Sequence, residues 1–196
     1  IVYLARSPTG ALIALKKQHV TRHVANLMLR HEACAMVLLK GHPSIPYVDA
    51  WGRSQYYEYL TMQLLGPTLA KSFGKGKRLD IPSAARAAEQ MLDVLSHIHG
   101  SIIHSDIKPG NILFGAENDS SGRFYFVDFG FASYYRDLVH LPMETDRKFM
   151  GTSYYASLNV HRRHTLARRD DMESLAYTLL DLEGARFPQR QYVTWA

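Results

Sequence analysis

Cysteine is nearly absent: across 196 residues, Cys34 stands alone. A single thiol cannot close an internal bridge, so a disulfide-stapled miniprotein is excluded and a reducing compartment is the expectation. Long apolar runs are missing too. No stretch approaches the roughly 20 residues of a membrane-spanning helix, and the first residues do not resemble a signal peptide. Internal repeats and low-complexity tracts are lacking, and neither sign of charge dominates, with 23 basic residues against 18 acidic ones. What is present is 46% apolar and 21% charged, a globular composition with ample material for a core. That excludes a disordered tail and a collagen-like fibre. The length fits one large domain or two small lobes. Ile1 is not an initiator methionine and both ends are abrupt, so the chain reads as a piece of something longer or an incomplete gene product.

The densest charge lies at Arg162, Arg163, His164, Arg168 and Arg169. Such a patch can attract phosphate groups or acidic peptides. No aromatic interleaving or nucleic-acid motif accompanies it, so a solvated basic surface is the expected reading. It is too interrupted for a localisation signal, which leaves cytoplasm, nucleus or both.

Short apolar runs at 1–5 and 11–16 flank Ser7-Pro8-Thr9-Gly10 and predict a hairpin. Over 24–40, Leu27, Leu29, Ala33, Met36 and Val37 recur at helical spacing until Gly41 and Pro43. Aromatic runs at 47–51 and 56–64 suit a second hairpin, and Gly66-Pro67 breaks the pattern. Residues 74–77 read as a flexible basic loop. A helix follows Pro82-Ser83, with Ala84, Ala88, Met91, Leu95 and Ile98 on one stripe and Gly100 as its stop. Short strands flank a turn at 115–122, an irregular stretch follows Gly130, and a last helix runs from near Asp170 to Leu182. The organisation is a strand-rich part, a Gly-Pro joint and a mainly helical part.

The chemistry concentrates in His104-Ser105-Asp106-Ile107-Lys108-Pro109-Gly110-Asn111 and, seventeen residues after Asn111, Asp128-Phe129-Gly130. Phosphoryl transfer needs a carboxylate to take a hydroxyl proton, a cation beside the moving group, and hard oxygens for metal. Asp106, Lys108, Asn111 and Asp128 supply these in turn. Either motif alone could be a capped loop or a common turn; together, each bracketed by apolar strands, they form a compound signature. Ala14-Leu15-Lys16 ends a predicted strand, and Glu32 on the next helix can hold its ammonium. The histidine pairs His97/His99, His161/His164 and His19/His23 lack the ligand count of a zinc site. His104 suits structural support better than acid–base work. Thr145, Thr152 and Ser153 are candidate loop phosphosites.

The chain resembles the eukaryotic protein kinase catalytic domain, and within it the casein kinase 1 group. The group-specific residues are His31-Glu32-Ala33 with Ile45-Pro46 thirteen positions after the Glu, and the run from Met62-Gln63-Leu64-Leu65-Gly66-Pro67 through Thr68-Leu69. Gly151-Thr152-Ser153-Tyr154-Tyr155-Ala156-Ser157-Leu158-Asn159 and Arg168-Arg169-Asp170-Asp171-Met172-Glu173-Ser174-Leu175 complete them. The resemblance implies an α+β, two-lobed kinase-like fold, with a strand-rich N-lobe over 1–66 and a mainly helical C-lobe over 67–196. The Gly-rich phosphate loop would lie just before Ile1, and the family's final helices would follow the chain's end.

The resemblance further implies a protein serine/threonine kinase that uses ATP and Mg²⁺. Lys16 would bind phosphate and pair with Glu32, and Met62 would be the gatekeeper. Backbone groups of Gln63 and Leu65 would meet adenine between Ala14 and Leu113, with Val2 as cap. Asp106 is implied as catalytic base, Lys108 as phosphate stabiliser, Asn111 and Asp128 as Mg²⁺ ligands, and Asp171 as a brace beneath the loop. Expected partners are ATP and Ser/Thr-bearing proteins, acidic ones among them, with no membrane, no specific nucleic acid and a monomeric state. Two residues depart from the pattern. Ser105 stands where the family carries an Arg that engages the activation segment, so control by that route is not expected. Tyr154 stands where the group carries an anion-binding Arg, which weakens the preference for acidic or pre-phosphorylated substrates unless Arg147, Lys148 and the 162–169 cluster compensate. The alternative is a catalytically impaired pseudokinase acting as a binding or scaffold protein.

Overall fold

The two hairpins join into one antiparallel sheet of order β1-β2-β4-β3, formed by Val2–Arg6, Leu12–His19, Tyr57–Gln63 (β4) and Val48–Arg53 (β3). A computed structural model provides this architecture and describes residues 1–20, 28–73, 76–134 and 142–185. Cross-strand partners share a face of a sheet. Val2 opposes Lys16, which opposes Leu60; Leu4 opposes Ala14, which opposes Met62. These residues therefore line one side, and helix α1 (Met28–Leu38) packs against β3 and β4. Leu29, Ala33 and Met36 of the helix are buried with Leu60 and Met62. Each large apolar side chain so enclosed contributes about 1.5–3 kcal/mol. Lys16 is not at a strand end as expected: β2 runs on to His19, so the lysine sits mid-strand. Its backbone is thereby fixed on both flanks.

Helix α1 corrects the periodicity reading at one position. Val37, expected on the buried face, is 58% exposed. One residue past Met36 turns the side chain by about 100°, away from the sheet. Leu27 and the rest of 21–27 lie outside the described residues.

Beyond Gly66 helices dominate: α2 (Leu69–Phe73), α3 (Ile81–Ile98), α4 (Leu158–His161) and α5 (Arg168–Leu182). Asp80 caps α3 by accepting the Ser83 N–H at 2.7 Å, and Pro82 sits in the first turn, where its missing N–H costs nothing. The buried stripe of α3 is Ala84, Ala87, Met91, Val94, Leu95 and Ile98; Ala88, expected on it, is half-buried beside Ala87. Short strands β5 (Ile102–Ile103), β6 (Ile112–Phe114), β7 (Phe124–Phe126) and β8 (Ser133–Tyr134) pair as β5-β8 and β6-β7. α2, α4 and the β5-β8 pair were not anticipated. A core running from Leu29 through Leu60, Leu95 and Ile112 to Phe126 and Phe129 connects sheet and helices.

The link after β4 lies against the turn after β6. Gly66 N–H donates to Phe114 O at 2.9 Å and Phe114 N–H to Pro67 O at 3.0 Å. A Cβ on Gly66 would collide with the Gly115 carbonyl. This close approach, more than flexibility, explains the glycine at the joint. No helix among the described residues is long and apolar enough to cross a membrane.

Candidate active site

Buried strand β5 delivers the chain into a loop that cannot rest on strand pairing alone. Its backbone donors are met by Asp171, buried on α5. Oδ2 accepts the His104 N–H at 2.8 Å and the His99 ring N–H at 2.9 Å, and Oδ1 accepts the Ser105 N–H at 2.8 Å. Ser105 itself takes φ +68°, a left-handed conformation uncommon for a non-glycine residue. That turn aims Asp106 inward, where only 4% of it is exposed.

Asp106 gathers three partners. Lys108 Nζ lies 2.6 Å from Oδ2, Asn111 Nδ2 donates to Oδ2 at 3.0 Å and to the Asp106 carbonyl at 2.9 Å, and Thr152 Oγ1 donates to Oδ1 at 2.9 Å. Lys108 also donates to Thr152 Oγ1 at 2.7 Å. A buried carboxylate is tolerable only when paired and hydrogen-bonded in this way. The spacing from Asp106 to Asn111 works because Pro109 starts a 3-10 turn, Pro109–Asn111, that folds the amide back over the carboxylate.

The second cluster joins three elements. Lys16 on β2 places Nζ 2.7 Å from Glu32 Oε2 on α1 and 2.8 Å from Asp128 Oδ1. Asp128 also has a left-handed backbone, φ +65°, and precedes the turn Phe129–Phe131 that seats Phe129 in the core. Burial opposes the charge on Lys16, but the two carboxylates outweigh it and hold its pKa above the ordinary lysine value. Burial pushes Glu32 upward against the pull of Lys16. Burial also acts upward on Asp128, yet Lys16 overrides it and the carboxyl titrates below its usual range.

His104 connects the clusters. Its Nε2–H donates to Val127 O at 3.1 Å, and its Nδ1 accepts the Asp106 N–H at 3.3 Å. Val127 N–H in turn donates to Asn111 O at 3.0 Å. Only the neutral Nε2–H tautomer satisfies both ring bonds, and complete burial lowers the His104 pKa despite Asp171 and Asp106 nearby. An unfolded imidazole takes its proton near pH 6.5. In the window below that value the unfolded chain binds the extra proton and the fold does not, so stability is lost as pH falls. His104→Gln, which can keep the Val127 bond but does not titrate, is expected to flatten the fall of the urea midpoint between pH 7 and 5.5. An unchanged slope contradicts the assignment.

The sequence-derived residues come together as follows. Lys16, Glu32 and Asp128 form one bonded cluster, and Asp106, Lys108 and Asn111 the other. Val2, Ala14 and Met62 share the sheet face of Lys16. Gln63 ends β4, tied to Tyr47 O through its N–H at 3.0 Å; Leu65 follows in the link, and Leu113 on β6 is bridged to Thr68 at the link's far end. Thr152 was read as a loop phosphosite, but it is half-buried and bonded to Asp106 and Lys108, so it belongs to the site. Gly151 before it has φ +89°, and a Cβ there would lie 2.7 Å from Ser105 O; only glycine lets this segment settle on the loop.

Other ties hold the same segment. Asp170, read from the sequence only as part of a motif and given no role, accepts Ser157 Oγ–H at 2.6 Å, Asn159 Nδ2–H at 3.0 Å and Ala167 N–H at 2.7 Å. Tyr154 and Tyr155 both donate to Asp181. The basic cluster is not uniformly solvated: Arg162, Arg163 and Arg169 are exposed, whereas His164 and Arg168 are half-buried.

A family model described as a protein kinase domain matches residues 1–192, spanning both the sheet that carries Lys16 and the helix that carries Asp171. The mixed α+β architecture is accordingly that of a kinase, and the chain belongs to the protein kinase family.

Proposed function

We propose that this chain is a protein serine/threonine kinase of casein kinase 1-like type that divides near residue 66 into an N-lobe (1–66) and a C-lobe (67–196). One observation carries the reading: every polar group the transfer needs is present and bonded in one of two clusters that His104 and Val127 join. Lys16, held by Glu32, engages the α/β-phosphates of ATP, with Val2, Ala14, Met62, Leu113 and the backbone of Gln63 and Leu65 around adenine. Asp106 takes the proton of the acceptor hydroxyl as its oxygen bonds the γ-phosphorus and the bond to ADP breaks. Lys108 offsets the charge on the moving group. That an aliphatic hydroxyl, Thr152, already meets Asp106 Oδ1 at 2.9 Å supports Ser/Thr as acceptors.

The donor set suits Mg²⁺. Asn111 spends its Nδ2 on Asp106 and keeps Oδ1, and Asp128 spends Oδ1 on Lys16 and keeps Oδ2. Two hard oxygens thus have no protein donor among the described residues, and these two residues would hold the ion. When bound, a divalent cation neutralises negative charge on the phosphates. The remaining partners in this reading are Ser/Thr-bearing proteins, acidic ones among them. The chain acts as a monomer in the cytoplasm, the nucleus or both, with no membrane and no specific nucleic acid.

The second reading, a pseudokinase scaffold, draws on Ser105 and Tyr154. Ser105 touches none of the transfer groups, and Tyr154 is turned to Asp181 on α5 at 3.3 Å. Neither removes a needed side chain. Labelled ATP, Mg²⁺ and casein-like substrate, followed by phosphoamino-acid analysis, separate the readings. Phosphoserine or phosphothreonine is the expected product; phosphotyrosine rejects the Ser/Thr assignment, and a folded protein with no transfer selects the scaffold.

A further inference from the structure

The hydroxyl of Ser105 is enclosed and has no hydrogen-bond partner among the described residues. A buried hydroxyl left unmatched is uncommon in a folded protein, and the usual remedy is an ordered water. Ser105 borders a small cavity of about 10 Å³ between the loop and α5. Its polar lining is Ser105, Asp106, Thr152, Tyr155, Asp170, Asp171 and Ser174. The volume holds about one water molecule, and a water needs two to four polar partners to stay. The acidic lining does not call for a cation. Asp106 is neutralised by Lys108, and Asp170 and Asp171 each already accept three hydrogen bonds, which leaves about one lone pair apiece. A neutral molecule with two donors and two acceptor sites matches what is left: the hydroxyls of Ser105 and Ser174, and the spare lone pairs of carboxylate oxygens.

We propose that a single internal water occupies this cavity, accepts the Ser105 Oγ–H and donates to carboxylate oxygens of α5, which makes Ser105 a positioning residue for the loop that carries Asp106. The bridge adds a side-chain tie beside the backbone ones through Asp171. It needs no phosphate on the chain. It also does not depend on turnover, so the test leaves the kinase reading aside.

A crystal structure of the full chain at about 1.5 Å is expected to show one solvent peak within hydrogen-bond distance of Ser105 Oγ. Ser105→Ala keeps the Cβ but removes the donor. It is expected to raise amide hydrogen exchange at 104–106 about fivefold, the worth of one neutral hydrogen bond, with global exchange unchanged. Ser105→Asn is the rescue: asparagine tolerates a left-handed backbone, and its amide reaches into the space of the water. It is expected to restore slow exchange and remove the peak. If Ser105→Ala does not fold, the solvent peak and the Asn variant still decide the matter. An empty cavity in the parent, exchange in Ser105→Ala equal to the parent, or a peak that persists in Ser105→Asn overturns the proposal.

Discussion

Asp106→Asn is expected to lower kcat by about 10²–10⁴ while leaving the fold and the KM for ATP nearly unchanged. The magnitude is that of removing a positioned general base. The small structural effect follows from the partners. Lys108 and Asn111 both donate to Oδ2, whereas Thr152 donates to Oδ1. An asparagine can keep its carbonyl toward Lys108 and Asn111 and turn its amide toward Thr152. That hydroxyl has a lone pair to accept it. Lys108 loses its counter-charge, but its side chain is 24% exposed and can hydrate. Steady-state transfer of labelled phosphate, alongside thermal unfolding of both proteins, measures the two halves of the expectation. Equal transfer by parent and variant means the signal comes from a contaminant. A collapse of both kcat and stability means Asp106 is primarily a structural residue.

Much of this site was legible in the sequence because its residues sit in short, rigid contexts. Asp106, Lys108 and Asn111 lie within six positions, and Pro109 dictates how the chain turns between them. Lys16, Glu32 and Asp128 were legible by type and order, although Lys16 was placed at a strand end; pairing of β2 on both edges, a tertiary fact, carries the strand further. Thr152 was misread because its chemistry depends on Gly151 passing against Ser105 O, a contact 46 positions apart. Asp170 was named only as part of a motif and Asp181 not at all, and their bonding went unread for a related reason. An acidic residue on a polar helix reads as solvated, and only the fold reveals that Ser157, Asn159, Tyr154 and Tyr155 return to it. The apolar stripes erred by single positions, as Ala87 for Ala88 on α3, since neighbouring small residues carry almost no periodic signal.

Asp171→Ala is expected to destabilise the fold by about 3–5 kcal/mol, the range for stripping the anion from a buried paired site. Asp171 is the one carboxylate that meets His104 N–H, Ser105 N–H and the His99 ring N–H together. Truncation removes the acceptor of all three, two of them in buried bonds, at roughly 1–3 kcal/mol for each unmade bond that cannot relax. Against a total stability of about 5–15 kcal/mol, the loss takes a large share. For a chain of this length it corresponds to a Tm lowered by about 6–20 °C. Asp171→Asn does not escape the penalty. Its one oxygen can serve His104 and His99 or Ser105, and its amide then faces a backbone donor, so its urea midpoint is also expected to fall at constant m. Asp93→Asn is the control: that carboxylate is 77% exposed beside His42, and its removal is expected to stay within about 0.5 kcal/mol. Should Asp171→Ala melt with Asp93→Asn, the loop carries its own conformation and α5 does not hold it. Should it fall as expected, the geometry at Asp106 rests on a residue that never meets the substrate.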